Sequence, residues 1–335
     1  MSRMTSAGAV LAVLALLANT PAPAAGFRDV LDTPAAITPR ATAGLFNGLA
    51  RAGSRIVAVG QRGHIVLSDD GGTSWKQARV PVASDLVAVA FPTPTHGWAV
   101  GHDGIVLHSA DAGASWTRQL DGRALGKVLG YGDKRLAEQG AENPFLDVWF
   151  SDQRTGFVVG AFNLILRTED GGRSWQPWLD RTDNPKSLHL YAIREAAGQI
   201  YVTGEQGLLM RLDAEAGRFR ALKTPYEGTY FGVTGNAKGV VAFGLRGNAF
   251  RSTDGGNSWS KVETGLQVGL TGGTEHEGRL VLVSQAGHLL VSRDDGASFA
   301  PVKIERTAPG AAVIGAGTGY VVVAGPRGLR AQWLQ

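Results

Sequence analysis

Apolar residues recur along this chain in short runs that end at a glycine. Each run is followed by a turn of two or three residues and then a second apolar run, such as Ile65–Leu67. Short runs rich in β-branched and aromatic residues, bounded by turn residues, are typical of β-strands. No segment shows a helical period of comparable strength, so the pattern predicts an all-β fold. The runs that end at a glycine or just before one are Val57–Val59, Trp98–Val100, Phe157–Val159, Tyr201–Thr203 and Val240–Phe243.

An eight-residue box, Ser/Thr-x-Asp-x-Gly-x-Ser-aromatic, repeats through the chain. Its aromatic positions 75, 116, 175, 219, 259 and 299 are 41, 59, 44, 40 and 40 residues apart. The residue 15 positions before each aromatic is Gly60, Gly101, Gly160, Gly204, Gly244 or Ser284. A period near 40 residues, with four short strands in each unit, predicts a β-propeller. The box around Leu212–Phe219, in the fourth unit, lacks the aspartate and glycine at their usual places.

Seven blades are predicted. Six complete units end near Ile304, and Ala312–Gln335 supplies three strands of a seventh unit. The extended segment Phe27–Ile37 precedes the first unit. We expect it to pair with the seventh blade as its outer strand and so to remove the open edges of the ring. The expected fold is a seven-bladed propeller of four-stranded antiparallel blades, closed by the N-terminal strand.

The N-terminus has the pattern of a secretory signal peptide. Arg3 precedes the small apolar run Ala7–Ala18, and small residues before Ala25 fit cleavage after Ala24. A run of 12 residues is shorter than the ~20 needed by a membrane-spanning helix. Residues 1–24 are therefore expected to be removed on export, and residues 25–335 to form one propeller domain, expected to be monomeric.

An insertion at residues 123–144 separates blades two and three, with a short helix expected at 133–139.

Composition excludes several kinds of function. The chain has 47 glycines and no cysteine among 335 residues, so disulfides, thiolate metal sites and a cysteine nucleophile are absent. Its formal charge is only +4, without the basic runs typical of nucleic-acid binding. The aspartates of the boxes lack the ligand spacing of a calcium loop. We therefore expect no metal, no cofactor and no nucleic-acid partner.

The boxes are expected to be structural. Their aspartates can accept hydrogen bonds from amides of their own turns, and their large aromatic side chains can pack between sheets. The residues assigned this role are Asp70, Trp75, Asp111, Trp116, Asp170, Trp175, Asp254, Trp259, Asp294 and Phe299.

These motifs resemble a known family. The box is the Asp-box, or BNR repeat, of sialidases, some endoglucanases and sortilin-type receptors. Its combination with stretches such as Phe91–Gly101 and Phe150–Gly160 is most similar to the photosystem II stability and assembly factors. The resemblance covers roughly residues 27–335. It implies a non-catalytic exported factor that binds a membrane protein complex or its precursor subunit, compatible with peripheral association at the membrane. The expected compartment is the periplasm, or the thylakoid lumen in a photosynthetic host.

The resemblance also predicts which face of the propeller binds a ligand or partner. In Asp-box propellers the boxes lie opposite the ligand face, so the turns after the marker glycines are expected to form that face. These turns contain Gln61, Arg62, His102, Asp103, Ala161, Phe162, Glu205, Gln206, Arg246, Gln285 and Arg327.

Arginines occupy two columns of the repeat. The candidate partner-binding residues are Arg62, Arg246 and Arg327 in the first column and Arg167, Arg211 and Arg251 in the second. Equivalent positions of successive blades are neighbours, so the second set is expected to form a basic stripe for acidic protein segments or anionic headgroups. Local pairing of these arginines with Glu169 or Asp170 is the alternative.

Two alternative functions stay open. A secreted glycoside hydrolase of the sialidase type needs two facing carboxylates, and Asp103 with Glu205 is the best available pair. The proline of the sialidase entry strand and that family's arginine triad are missing. A receptor-like sugar or peptide binder would use the axial pocket without turnover.

Overall fold

Seven separate antiparallel sheets make up the fold. The computed structural model describes residues 28–130 and 143–334, and six of its sheets have four strands in chain order, while the seventh has three. The predicted seven-bladed propeller is confirmed. The expected signal peptide at 1–24 and the expected helix at 133–139 lie outside the described residues.

The first three blades contain twelve strands, and the one described α-helix follows the last strand of blade two. Blade one contains β1 (Phe46–Ala52), β2 (Arg55–Gly60), β3 (Ile65–Ser68) and β4 (Lys76–Gln77). Blade two contains β5 (Leu86–Ala90), β6 (Gly97–Gly101), β7 (Val106–Ser109) and β8 (Thr117–Leu120), followed by α1 (Gly122–Val128). Blade three contains β9 (Phe145–Phe150), β10 (Gly156–Gly160), β11 (Ile165–Thr168) and β12 (Gln176–Pro177).

The later blades repeat this plan. Blade four contains β13 (Leu190–Ala196), β14 (Gln199–Gly204), β15 (Leu209–Asp213) and β16 (Arg218–Ala221). Blade five contains β17 (Tyr230–Asn236), β18 (Gly239–Gly244), β19 (Ala249–Ser252) and β20 (Ser260–Val262). Blade six contains β21 (Leu270–His276), β22 (Arg279–Ser284), β23 (Leu289–Ser292) and β24 (Ala300–Pro301). Blade seven contains β25 (Ala312–Gly317), β26 (Tyr320–Gly325) and β27 (Gly328–Trp333).

The hydrophobic core lies between the blades. The first strand of each blade contacts the first strand of the next, and β25 returns to contact β1. Both faces of each sheet are therefore covered, which explains why β6 and β10 consist entirely of buried residues. Large aromatic side chains join neighbouring blades. The Trp98 ring of blade two, for example, stacks on Phe150 of blade three at a centroid distance of 3.6 Å.

The ring does not close as predicted. Residues 28–37 form no part of the seventh sheet and instead lie across blades one and two. The amide of Ala35 donates to the carbonyl of Val80 at 3.1 Å, and Leu31, 6% exposed, enters the core between these two blades. Burial of Leu31 and these hydrogen bonds hold the segment there. Closure comes instead from packing of β1 against β25 and β26.

Ion pairs also attach this N-terminal segment to the start of the insertion. The Arg123 guanidinium lies 2.8 Å from a carboxylate oxygen of Asp32 and 2.9 Å from one of Asp121. Asp121 also caps α1 by accepting from the amide of Arg123 at 3.0 Å. The network therefore fixes α1 beside residues 28–37.

The helices in the described part of the chain are all too short to span a membrane.

Antiparallel order gives the propeller two distinct faces. The turns between second and third strands and the linkers between blades share one face, which we call the turn face. The hairpins between first and second strands share the opposite face with the Asp-boxes, which we call the box face. The marker glycines end their second strands at the turn face, as expected from the sequence.

Each complete box is a closed network of hydrogen bonds. In blade one, Asp70 accepts from the Ser68 hydroxyl at 2.8 Å, the Ser74 amide at 2.9 Å and the Ser74 hydroxyl at 2.6 Å. The Trp75 indole donates to the carbonyl of Gly72 at 3.1 Å. The space beside Gly72 is filled by Val322 of blade seven, so each box packs on the preceding blade. The bonds to the aspartate recur at Asp111, Asp170, Asp254 and Asp294, and the indole bond recurs at Trp116 and Trp259.

These networks predict acid sensitivity. Hydrogen bonds from Ser74 and Ser298 lower the pKa values of Asp70 and Asp294 to about 2 from 3.8. A carboxyl group with a lowered pKa in the folded state contributes stability above its unfolded pKa, and that stability is lost as pH falls. We expect the melting temperature to fall between pH 4 and pH 2. Melts of Asp70→Asn should fall less over this interval, and an equal fall would contradict the assignment.

Candidate functional site

A repeated bulge builds the axial opening on the turn face. In six blades the pairing register shifts by one residue at the second position of the innermost strand. A bulge of this kind redirects one side chain out of the regular alternation. The six bulged residues all line the axial channel, and they are Asn47, Val87, Leu146, Tyr191, Phe231 and Thr271.

An aromatic row runs from the rim of the turn face to this channel mouth. Phe162, 59% exposed, meets His189 at 4.5 Å between ring centroids. His189 meets Tyr191 at 6.3 Å, and Tyr191 meets Phe231 at 5.6 Å. Burial raises the pKa of the Tyr191 phenol, and nearby Glu205 adds to the effect. Tyr191 therefore stays protonated at neutral pH and can donate a hydrogen bond.

The channel itself is about 520 Å³ in volume, and its wall contains an ion pair between a buried aspartate and a partly exposed arginine. Asp147, whose side chain is 3% exposed, contacts the Arg194 guanidinium and accepts from the Ile193 amide at 2.8 Å. It also accepts from the Val148 amide at 2.9 Å. Burial raises the pKa of Asp147, while the charge of Arg194 opposes that rise. The pair ties blade three to blade four and leaves part of Arg194 facing the channel.

Outside the channel mouth, the turns of five blades place one residue with a positive φ angle on the turn face. Arg62, Asp103, Phe162, Gln206 and Arg246 have positive φ angles between 51° and 57°. A positive φ is unfavourable for residues with a Cβ and points the side chain away from the sheet. In blade seven, Arg327 occupies the same sequence column, two residues after Gly325, without a positive φ angle. Arg62, Arg246 and Arg327 are all exposed, so the turn face brings the first arginine column to one surface.

Charge is unevenly distributed on the turn face. Blades seven and one are neighbours and contribute Arg327 and Arg62, and the N-terminal segment that leads into β1 beside blade seven adds exposed Arg40. Blade two contributes Asp103 and blade four contributes Glu205. Arg327, Arg62 and Arg40 therefore form a basic sector opposite the aromatic row, while Arg246 lies in blade five, the blade of Phe231.

The second arginine column lies at the other face and is half-buried. Arg251 donates to the carbonyl of Asp295 at 2.8 Å, and Arg211 donates to the carbonyl of Gly255. Both acceptors belong to the box of the next blade. Blade four has no complete box, and Arg167 instead pairs with Glu169 at 2.7 Å and stacks on Trp178 at 5.0 Å. These contacts engage the three guanidiniums within the protein, and a partner-binding role for them stays a prediction.

The two carboxylates of the hydrolase alternative are not brought into one neighbouring pair. Asp103 lies in blade two and Glu205 in blade four, with blade three between them. Asp103 accepts from the Ser84 hydroxyl, and Glu205 accepts from the amide of His189 at 2.9 Å. Each carboxylate therefore fixes the linker that enters its own blade.

Sequence reasoning missed the inner part of this site. Tyr191, Phe231 and Arg194 were not singled out because they lie in strands whose apolar pattern explains them as core. A signal was present in the repeat: the residue after the first buried residue of each inner strand is the bulged one. Arg40 was missed because it lies outside both the repeat and the extended segment Phe27–Ile37.

The sequence matches the family model described as photosynthesis system II assembly factor YCF48 over residues 45–128 and 135–223. One curated relative is the photosystem II assembly lipoprotein Ycf48 of Synechococcus sp. (strain CC9902), 30% identical over 127 residues. This match covers 36% of the present chain and 37% of the relative, so only about a third of that protein's length is spanned.

Solved structures show the same fold. A structure of YCF48 bound to D1 peptide superposes with a TM-score of 0.67 at 15% identity, covering 88% of this chain and 94% of that one. A GH74 xyloglucanase from Xanthomonas campestris gives 0.63 at 14% identity, covering 88% and 52%. Such low identities show the fold alone and do not separate a binding protein from a hydrolase. The family match decides between these groups because it spans more than half of the 335 residues. The chain belongs to the photosynthesis system II assembly factor YCF48 family.

Proposed function

We propose that this protein is a non-catalytic, exported assembly factor that holds an extended segment of a membrane protein on its turn face. The observation that carries the proposal is the arrangement of that face. An aromatic row from Phe162 to Phe231 leads to the channel mouth, and exposed Arg62 and Arg327 lie on the opposite sector. Aromatic and arginine side chains are the groups most often dominant in protein recognition.

Family membership supports the kind of partner. A related structure is described as bound to a D1 peptide, and the relatives are described as photosystem II assembly factors. In a photosynthetic host, we therefore propose a photosystem II subunit or its precursor as partner. In another host, the same surface would take an exported segment of a different envelope complex. The signal-like residues 1–24 support a periplasmic or lumenal address.

The non-catalytic part of the proposal follows from the placement of the carboxylates. Asp103 and Glu205 each accept hydrogen bonds from their own linkers, and they lie two blades apart. A retaining or inverting glycosidase needs its two carboxyl groups within about 5–9.5 Å of each other across the sugar. Hydrolysis of fluorogenic sugars that is lost in Asp103→Asn would contradict the proposal.

Charge reversal on the turn face tests the binding surface. We expect the triple variant Arg62→Glu, Arg246→Glu, Arg327→Glu to bind the partner at least about tenfold more weakly, because each reversal opposes charge complementarity at the interface. Affinity capture from host membranes, quantified against wild type, measures this loss. Each substitution keeps a Cβ at its turn position, so backbone strain is unchanged.

A matched variant on the box face controls for net charge. The control variant replaces three exposed basic residues with glutamate and so changes the net charge by the same amount. Its substitutions are Lys76→Glu, Arg173→Glu and Arg293→Glu. It should capture the partner as wild type does. Equal capture by both triple variants, or loss only in the box-face variant, would reject the turn face as the binding surface.

A further inference from the structure

The outer edge of blade seven is open. Its sheet ends at β27, and among the described residues no other strand pairs with that edge. Ala331 and Trp333 are exposed on β27, with Trp333 at 45%. Such an edge presents unpaired backbone amides and carbonyls to any extended chain that approaches it.

The other six blades show what fits at this edge. In or next to the fourth strand of each blade, an apolar residue lies opposite the first residue of the third strand, as Ala78 does when its amide donates to the carbonyl of Ile65 at 2.9 Å. In five blades an aromatic residue stands three positions earlier in the sequence. Both residues pack against neighbouring blades. The aromatic-x-x-apolar pairs are Trp75 with Ala78, Trp175 with Trp178, Phe219 with Leu222, Trp259 with Val262, and Phe299 with Val302.

Equivalent positions exist in blade seven. Ile65 pairs with Val59 on its second strand, and Leu329 pairs with Ala324 in the same way. The carbonyl of Leu329 is thus the counterpart of the Ile65 carbonyl. Strand alternation points the backbone groups of Ala331 away from β26 as well.

The N-terminal residues that the structure describes, 28–45, do not pair with this edge. They approach blade seven at Ala41–Ala43, where the Thr42 carbonyl lies beside Gly328 as the Val82 carbonyl lies beside Gly63. Thr42 and Val82 are 40 residues apart in the sequence. With the same offset, Ala35 would correspond to Trp75 and Thr38 would correspond to Ala78. Ala35 is not aromatic and Thr38 is not apolar, so the segment does not match the pattern of a fourth strand. Ala35 is instead bound to Val80 on blade one.

We propose that β27 accepts an extended segment of another protein as the fourth strand of blade seven. The segment carries an aromatic residue and, three positions later, an apolar residue, matching the pattern of five of the six complete blades. Backbone hydrogen bonds to Leu329 and Ala331 supply affinity, and the two side chains supply specificity, as in strand addition to other open sheets. This surface is separate from the turn-face site and does not depend on it.

A labelled peptide tests the proposal directly. The probe reproduces residues 257–264, the fourth-strand region of blade five, and its control has serine in place of Trp259 and Val262. Fluorescence anisotropy measures binding to the full chain. We expect the probe to bind at least about tenfold more tightly than the control peptide, because the control lacks both apolar side chains that would leave water on binding.

Two variants locate the bound peptide. Ala331→Pro removes the outward amide, and proline is tolerated on an edge strand whose N–H faces solvent. Ala331→Ser keeps the amide and serves as the matched control, and thermal melts verify that both fold. Probe affinity should fall at least tenfold in Ala331→Pro and stay unchanged in Ala331→Ser.

Several results would overturn the proposal. They are equal binding to Ala331→Pro, equal binding of probe and control peptides, and no binding at millimolar probe. Sedimentation showing dimers that Ala331→Pro dissociates would also overturn it, since the edge would then be occupied by a second copy of the chain.

Discussion

Replacing Trp98 by alanine is expected to lower the free energy of unfolding by about 3–5 kcal/mol, the range for large buried aromatic side chains. Trp98 is fully buried between blades two and three and stacks on Phe150. Its indole donates to the Gln119 amide oxygen at 3.1 Å, so truncation also leaves that acceptor without its donor. Denaturant unfolding followed by circular dichroism measures the loss.

Phe162 provides the matched aromatic control. It is 59% exposed at the rim of the turn face, and Phe162→Ala should change the unfolding free energy by only about 0.5 kcal/mol. The same variant should weaken partner capture, because Phe162 begins the aromatic row. A loss below 1 kcal/mol in Trp98→Ala would show that this interface does not stabilise the ring as described.

Breaking the ion pair in the channel is expected to have the second-largest effect. Arg194→Met should destabilise the fold by about 3 kcal/mol at pH 8, because it leaves the buried carboxylate of Asp147 without a charged partner. This is the lower end for such pairs, since Arg194 is partly exposed to water in the channel. The double variant Arg194→Met, Asp147→Asn should recover most of the loss because no buried charge remains.

The stability deficit of Arg194→Met is also expected to depend on pH, with a definite sign. Burial raises the pKa of Asp147, and loss of Arg194 raises it further. A carboxyl group with a raised folded-state pKa favours the folded state at low pH, and this contribution is lost as pH rises. The deficit of Arg194→Met relative to wild type should therefore shrink from pH 8 to pH 4.5. A deficit that is constant with pH would contradict the assigned ionisation of Asp147.

The repeat made most of the fold predictable. Marker glycines and box aromatics recur with the blade period, so strand number, blade number and the separation of two faces all follow from spacing. Ring closure did not follow, because the position of residues 28–37 depends on tertiary contacts of Leu31 and Ala35 with blades one and two. An extended segment without a box carries no register signal of its own.

The site was predictable only in its outer part. Arg62, Arg246 and Phe162 occupy a turn column that the repeat aligns, and the structure brings them to one face. Arg211 and Arg251 occupy an equally regular column, but the carbonyls that bind them belong to the next blade. Pairing across blades is invisible in a single aligned column. The ion pair of Asp147 with Arg194 was missed for the same reason.

Site-specific photocross-linking in host membranes tests the central claim most directly. The photoreactive residue p-benzoylphenylalanine would replace Phe162 on the turn face in one variant and Arg293 on the box face in another. The account predicts that Phe162→p-benzoylphenylalanine cross-links to one integral membrane protein and that the Arg293 variant does not. Cross-links to that protein from the box face alone, or from neither position while the complex is captured, would contradict it.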